Sequence, residues 1–133
     1  MYQDDEQDDE RNVAILVGKT LTKIDNLNDE ELIFTCDDGT QYRMYHLQSC
    51  CENVDLEEVI GDLDDLIGEP ILVAEEVSSE DEPAKLNEYG SEPESFTWTF
   101  YKFATRKGYV DLRWYGTSNG YYSEGVSFEK IKL

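Results

Sequence analysis

Apolar and polar residues alternate in short runs separated by turn signals, and the clearest runs fill the C-terminal third. Ser95–Thr105 (SFTWTFYKFAT) places Phe96, Trp98 and Phe100 on one face, and Tyr109–Tyr115 (YVDLRWY) does the same for Val110, Leu112 and Trp114. In Tyr121–Ile131, Val126 and Phe128 share a face. Arg-Lys-Gly and Ser-Asn-Gly turns separate the three runs, so the pattern predicts a three-stranded meander with these faces on the core. Upstream, Glu31–Cys36 (ELIFTC) and Gln41–Leu47 (QYRMYHL) flank Asp-Asp-Gly-Thr, a strong hairpin signal. Pro70–Val77 reads as a strand, and residues 19–26 as a strand with imperfect alternation. Asn12–Val17 is a short apolar run closed by Gly18, either a helical turn or the start of a strand.

A 3.6-residue period is seen once. Asp55 stands where a helix cap belongs, with Glu58 three residues on, and Val54 and Val59 occupy the positions of a hydrophobic staple. Val59, Leu63 and Leu66 then follow at i, i+4 and i+7, with Ile60 and Ile67 widening the stripe. Gly68 and Pro70 supply a stop. These features predict a helix near Asp55–Ile67, although Gly61 inside it costs about 1 kcal/mol against alanine. A competing reading keeps Val54–Val59 as a strand and starts the helix later. Because strands outnumber helices and most links are tight, the expected fold is α+β: a mainly antiparallel sheet with one short helix packed on it.

At 133 residues the chain has the length of one domain, expected over residues 11–133. Residues 1–10 hold six acids and read as a disordered tail. Ser78–Glu94 is acidic and aperiodic, with Pro83, Gly90 and Pro93, and reads as a long loop. The first residues are acidic rather than basic-then-apolar, the opposite of a signal peptide, and no run reaches the ~18 apolar residues of a membrane span. Together with three cysteines, too few for a secreted disulfide framework, this predicts a cytoplasmic protein.

Charge changes the picture most. The net charge is −20. Residues 1–94 hold 28 acids against 5 bases, and residues 95–133 hold 3 acids against 6 bases. Such a field argues against direct binding of nucleic acid or acidic membrane and favours basic protein partners. On the expected helix, Glu58, Asp62, Asp65 and Glu69 form one narrow stripe opposite the apolar face. Spaced about one turn apart, they could imitate a row of phosphates, which repeats about every 3.4 Å along one DNA strand. A solvated charged face is the plainer reading of the same residues.

Three further groups carry possible chemistry. Cys36, His46, Cys50 and Cys51 suit Zn²⁺ by residue type, with Cys36 expected near His46 across the hairpin, but adjacent cysteines lack zinc-site spacing. As a nucleophile–base pair they fare worse, since the surrounding carboxylates disfavour a thiolate. The simplest reading makes Cys50 or Cys51 a small buried apolar residue. Asp62–Glu69 (DLDDLIGE) is acidic but its glycine falls at position 7, not the position 6 of an EF-hand loop. Finally, Tyr101, Phe103, Tyr109, Arg113 and Tyr115 share the parity opposite the expected core face. Tyr101, Tyr109, Arg113 and Tyr115 could therefore stack on a nucleotide-like small molecule, unless other elements cover them.

The stretches YRMYHLQSCCENVDLEEVIGDLDDLIGEPILVAEEVS and FTWTFYKFATRKGYVDLRWYGTSNGYYSEGVSF resemble a family of small acidic domains encoded by bacteriophages and bacterial mobile elements. The likeness covers most of residues 13–131 and rests on HLQSCCE, GDLDDLIG and YGTSNGYYSE. It implies a phage or mobile-element setting and assigns no activity or catalytic residue. Read together, these features predict a non-enzymatic acidic protein without cofactor. It would be a phage-type inhibitor or decoy whose partner is a basic, nucleic-acid-binding or defence protein of the host. The alternatives are a nucleotide binder acting through the Tyr/Arg face, and a Cys/His metal or thiol site.

Overall fold

The computed structural model describes residues 11–79, 83–86 and 89–131. The acidic tail expected over residues 1–10 lies outside them. The described residues form eight strands and two single 3-10 turns, with no α-helix among them. The strands are β1 (Leu21–Leu27), β2 (Glu31–Cys36), β3 (Gln41–Tyr45), β4 (Asn53–Ile60), β5 (Val73–Ser79), β6 (Ser95–Thr105), β7 (Gly108–Ser118) and β8 (Ser127–Lys130). The turns are Val13–Leu16 and Leu63–Leu66. No helix among the described residues is long and apolar enough to cross a membrane.

The strands make two four-stranded antiparallel sheets, β1-β2-β3-β8 and β4-β7-β6-β5. Alternation decides which residues meet between them. From the first sheet come Leu32, Phe34, Tyr42, Met44 and Phe128; from the second come Val54, Leu56, Tyr101, Phe103, Val110, Leu112 and Trp114. Phe34 meets Phe103 with ring centroids 6.0 Å apart, and the Trp114 indole N–H points at the Met44 sulfur at 3.2 Å. Leu16 and Leu66 of the two 3-10 turns close the same core and are fully buried.

The predicted helix does not form. Val54 and Leu56 are buried while Asn53, Asp55 and Glu57 are exposed, a period of two that continues the competing strand reading. Gly61 then turns the chain with φ of 102°, and an added Cβ there would lie 2.6 Å from the Tyr109 carbonyl oxygen. Only the 3-10 turn Leu63–Leu66 remains, capped by Asp62, whose carboxylate accepts from the Asp64 N–H at 2.9 Å. The helix-like spacing arose from a strand, a glycine turn and a short 3-10 segment placed end to end.

Two further expectations change. The C-terminal runs are not one meander: β6 pairs with β7, but β8 crosses to pair with β3. The crossing connection is anchored by Glu124, only 8 % exposed, which accepts from Thr97 Oγ1 at 2.8 Å and Ser118 Oγ at 2.5 Å. Gly116 leaves room for it, because a Cβ there would lie 2.7 Å from the Glu124 carbonyl oxygen. Phe96, Trp98 and Phe100 do share a face, but it is the outer one. The register sets Thr99 opposite Trp114 and Tyr101 opposite Leu112, so Tyr101 and Phe103 face the core.

Candidate functional site

The four acids read as one stripe are spread over a strand, a turn and a loop. Glu58 lies on the sheet edge, where β4 is bulged, and its carboxylate is 3.5 Å from Arg113 Nε. Asp62 caps the second 3-10 turn and Asp65 lies within it. Glu69, beyond the turn, is 3.8 Å from Arg106. The hairpin between β6 and β7 grips this turn: Lys107 Nζ donates to the Asp64 and Ile67 carbonyls at 3.0 and 2.8 Å, and Thr105 Oγ1 donates to the Asp65 carbonyl. Thus the basic end of the chain offsets part of the acidic segment. Glu58, Asp62 and Asp64 remain exposed, with Asp65 and Glu69 half-buried.

A second acidic region lines an open groove of about 500 Å³ beside the ends of β1 and β4, with Glu30, Glu31 and Asp55 on its walls. Desolvation, then the charges of Glu30, Glu57 and Asp29, push the Asp55 carboxyl above its ordinary value.

Of the Tyr/Arg set, Tyr101 belongs to the core and is fully buried. Its hydroxyl is pushed far up by burial and by the charge of Glu76. Tyr109 is 80 % exposed near the start of β7. Arg113 and Tyr115 do meet on the outer face, in an aromatic cluster the sequence reading had assigned to the core. Trp98 and Tyr115 are cross-strand partners with ring centroids 4.6 Å apart. Phe96 flanks Tyr115 at 6.2 Å and Phe100 flanks Trp98 at 6.0 Å. The Arg113 guanidinium lies 5.0 Å from the Trp98 ring centroid and 5.1 Å from that of Phe100, within cation–π range. Residues 83–86, in the acidic loop, cross this cluster and cover it. The signal for this was present: Lys85 is the one base among residues 75–94, two positions after Pro83.

The cysteine–histidine group is likewise rearranged. Cys36 pairs with Leu21 beside the hairpin turn, whereas His46 follows the opposite end of the hairpin, where Tyr45 pairs with Glu31. Cys36 is therefore remote from His46. Burial, reinforced by Asp38, raises its thiol. Cys50 and Cys51 are exposed and joined to each other as a vicinal disulfide, so the buried, apolar cysteine is Cys36. Among the described residues no group of three His, Cys, Asp or Glu side chains is placed to hold a metal ion.

What His46 meets instead is Glu52, a residue assigned no role from sequence. The Nε2–Oε2 distance is 2.7 Å, with the side chains only 4 % and 0 % exposed. His46 Nδ1 donates to the Gly125 carbonyl at 2.7 Å. Both ring nitrogens thus face acceptor oxygens. The Cys50 and Ser49 N–H groups donate to the Glu52 carboxylate at 3.0 and 2.8 Å. The Cys50 N–H leads in holding the Glu52 carboxyl down at about 2, with His46 and Ser49 adding to it against the opposing effect of burial. Both His46 ring nitrogens and both Glu52 carboxylate oxygens are engaged within the chain. This corner fastens the β3–β4 loop to the connection that precedes β8.

No curated protein and no solved structure matches the chain. A family model does match, over residues 14–128, and it takes in both sheets, the aromatic outer face and the His46–Glu52 corner. The chain belongs to that family, a domain of unknown function designated DUF7448.

Proposed function

We propose that this chain is a non-enzymatic acidic binding protein whose partner is a basic protein, in the setting of a phage-type inhibitor or decoy acting in the host cytoplasm on a nucleic-acid-binding or defence protein. The net charge of −20 carries this reading. A basic partner gains attraction and steering from that field, whereas nucleic acid is repelled. Glu58, Asp62, Asp65 and Glu69 are the proposed contacts. Their line no longer imitates a helix face, so the reading rests on an acidic edge of β4 and the following turn. Asp62 and its neighbour Asp64 are the exposed acids there that have no ion pair among the described residues. They should contribute more than Glu58 and Glu69, whose charges are shared with Arg113 and Arg106.

The test is capture of basic proteins from a bacterial lysate on immobilised chain at about 0.1 M and about 1 M salt, where the screening length falls from about 10 to about 3 Å. The expected result is a partner that is released by salt and held at least tenfold less tightly by a variant carrying amides at positions 58, 62, 65 and 69. A salt-indifferent partner, or an amide variant binding as tightly as the parent, would refute the reading.

A further inference from the structure

The aromatic cluster on the outer face of β6 and β7 is met by the chain's own residues 83–86. Trp98 points away from the inter-sheet core yet is only 5 % exposed. Pro83 and Lys85 join Arg113, Phe100 and Tyr115 around it. The Trp98 indole N–H donates to the Pro83 carbonyl at 3.0 Å, and the Lys85 N–H donates to the Tyr115 hydroxyl at 3.0 Å. The Lys85 ammonium donates to the Glu57 carboxylate on β4, and it lies 5.9 Å from the Tyr115 ring centroid. The segment itself has no regular secondary structure. Its anchors are an indole donor to one carbonyl, a phenol acceptor from one N–H, and a carboxylate on a basic side chain two residues past a proline. This is how aromatic-lined grooves read extended, proline-containing ligands: main-chain groups fix the path, and an acid selects the basic residue.

The resident segment fits the shape of this face better than its charge. Residues 75–94 carry eight acids and a single base, Lys85. Lys85 meets a strand that presents Asp55, Glu57 and Glu58, all exposed. One half-exposed ion pair holds little. A basic segment with the same Pro-x-Lys or Pro-x-Arg spacing would repeat all three anchors and add attraction to the exposed acids of β4.

We infer that the outer face of β6 and β7 binds an extended basic peptide segment with Pro-x-Lys/Arg spacing, and that residues 83–86 hold the site until such a segment displaces them. This goes beyond the acidic edge proposed above: the anchors are Trp98, Tyr115 and Glu57, none of which is among the four acids named there. The resident segment competes at the high effective concentration of a tethered ligand. Loosening it should therefore expose the site.

The experiment uses the full chain and a fluorescein-labelled peptide, Arg-Arg-Pro-Ala-Lys-Leu-Arg-Arg, followed by fluorescence anisotropy. Lys85→Glu sets a carboxylate against Glu57 and should bind the peptide at least tenfold more tightly than the parent. A second loosening variant, Lys85→Ala, should follow it. A scrambled peptide of the same composition, with neither lysine nor arginine two positions after proline, should bind the loosened chain at least tenfold more weakly. Adding Tyr115→Phe, which removes one oxygen, or Glu57→Gln to Lys85→Glu should return affinity towards the parent value. The proposal is overturned if parent and both Lys85 variants bind alike, if none binds, or if the scrambled peptide binds equally. That last result would leave acidic attraction in place and remove the site, so it separates this proposal from the acidic-edge reading. The fourfold amide variant should keep its preference for the ordered peptide.

Discussion

Glu52 is the most deeply buried carboxylate among the described residues, and its surroundings tie pH to stability with a definite sign. In the folded chain its carboxyl titrates at about 2 against an ordinary 4.5, so the unfolded chain binds the proton more readily. The stabilisation it supplies is fully present above about pH 4.5 and is lost as pH falls towards about 2. Replacing it by Gln should lower the urea midpoint at pH 7, and parent and variant should converge near pH 2. A constant difference across that range would mean that Glu52 acts through shape and not charge. Asp55 has the opposite sign. Although largely exposed, its carboxyl is raised by partial desolvation on the groove wall and by neighbouring acids, so ionisation there opposes folding. Asp55→Asn should raise the melting temperature at pH 7, and the gain should shrink as acidification protonates the parent. Neither partnership could be read from spacing. HLQSCCE shows a histidine, two cysteines and a glutamate within seven residues, which suggests metal or thiol chemistry by type. The partner that His46 finds is decided by a loop that turns Ser49 and Cys50 N–H groups onto Glu52, and by Gly125, brought in from 79 residues away.

Gly61 separates the two readings of residues 54–67 at the scale of elements. Alanine in a helix interior at this position would stabilise by about 1 kcal/mol. In the observed strand and turn it must adopt φ of 102° and set its Cβ against the Tyr109 carbonyl, which should destabilise by about 1–3 kcal/mol. Urea unfolding of Gly61→Ala therefore gives opposite signs for the two folds. Much at this scale was legible. The Asp-Gly hairpin, the span of β6 and the alternation of β7 come from local chemistry, and the structure places them close to where the pattern does. What failed was non-local. In β6 both faces carry aromatics, so a period of two identifies two faces but not which is buried; the pairing of Thr99 with Trp114 decides it. Likewise the residues of β8 alternate as a strand would, but nothing local says that Glu124 will pin the connection and send the strand to β3.

For the whole molecule, salt should act on folding and on binding with opposite signs. A net charge of −20 repels itself most in the compact state, and the ion pairs among the described residues are few and mostly exposed at one or both partners. Screening weakens repulsion among many like charges more than it weakens a few surface pairs, which contribute about 0–1 kcal/mol each. Raising salt from about 0.05 M to about 0.5 M should therefore raise the melting temperature of the free chain. The same change should weaken the complex with a basic partner, because there the long-range term is attractive. The two measurements belong together. If the melting temperature rises while the partner is released, release reflects lost attraction and not an unfolding chain. If it falls instead, surface ion pairs outweigh self-repulsion, and charge excess can no longer be the feature from which the binding surface is argued.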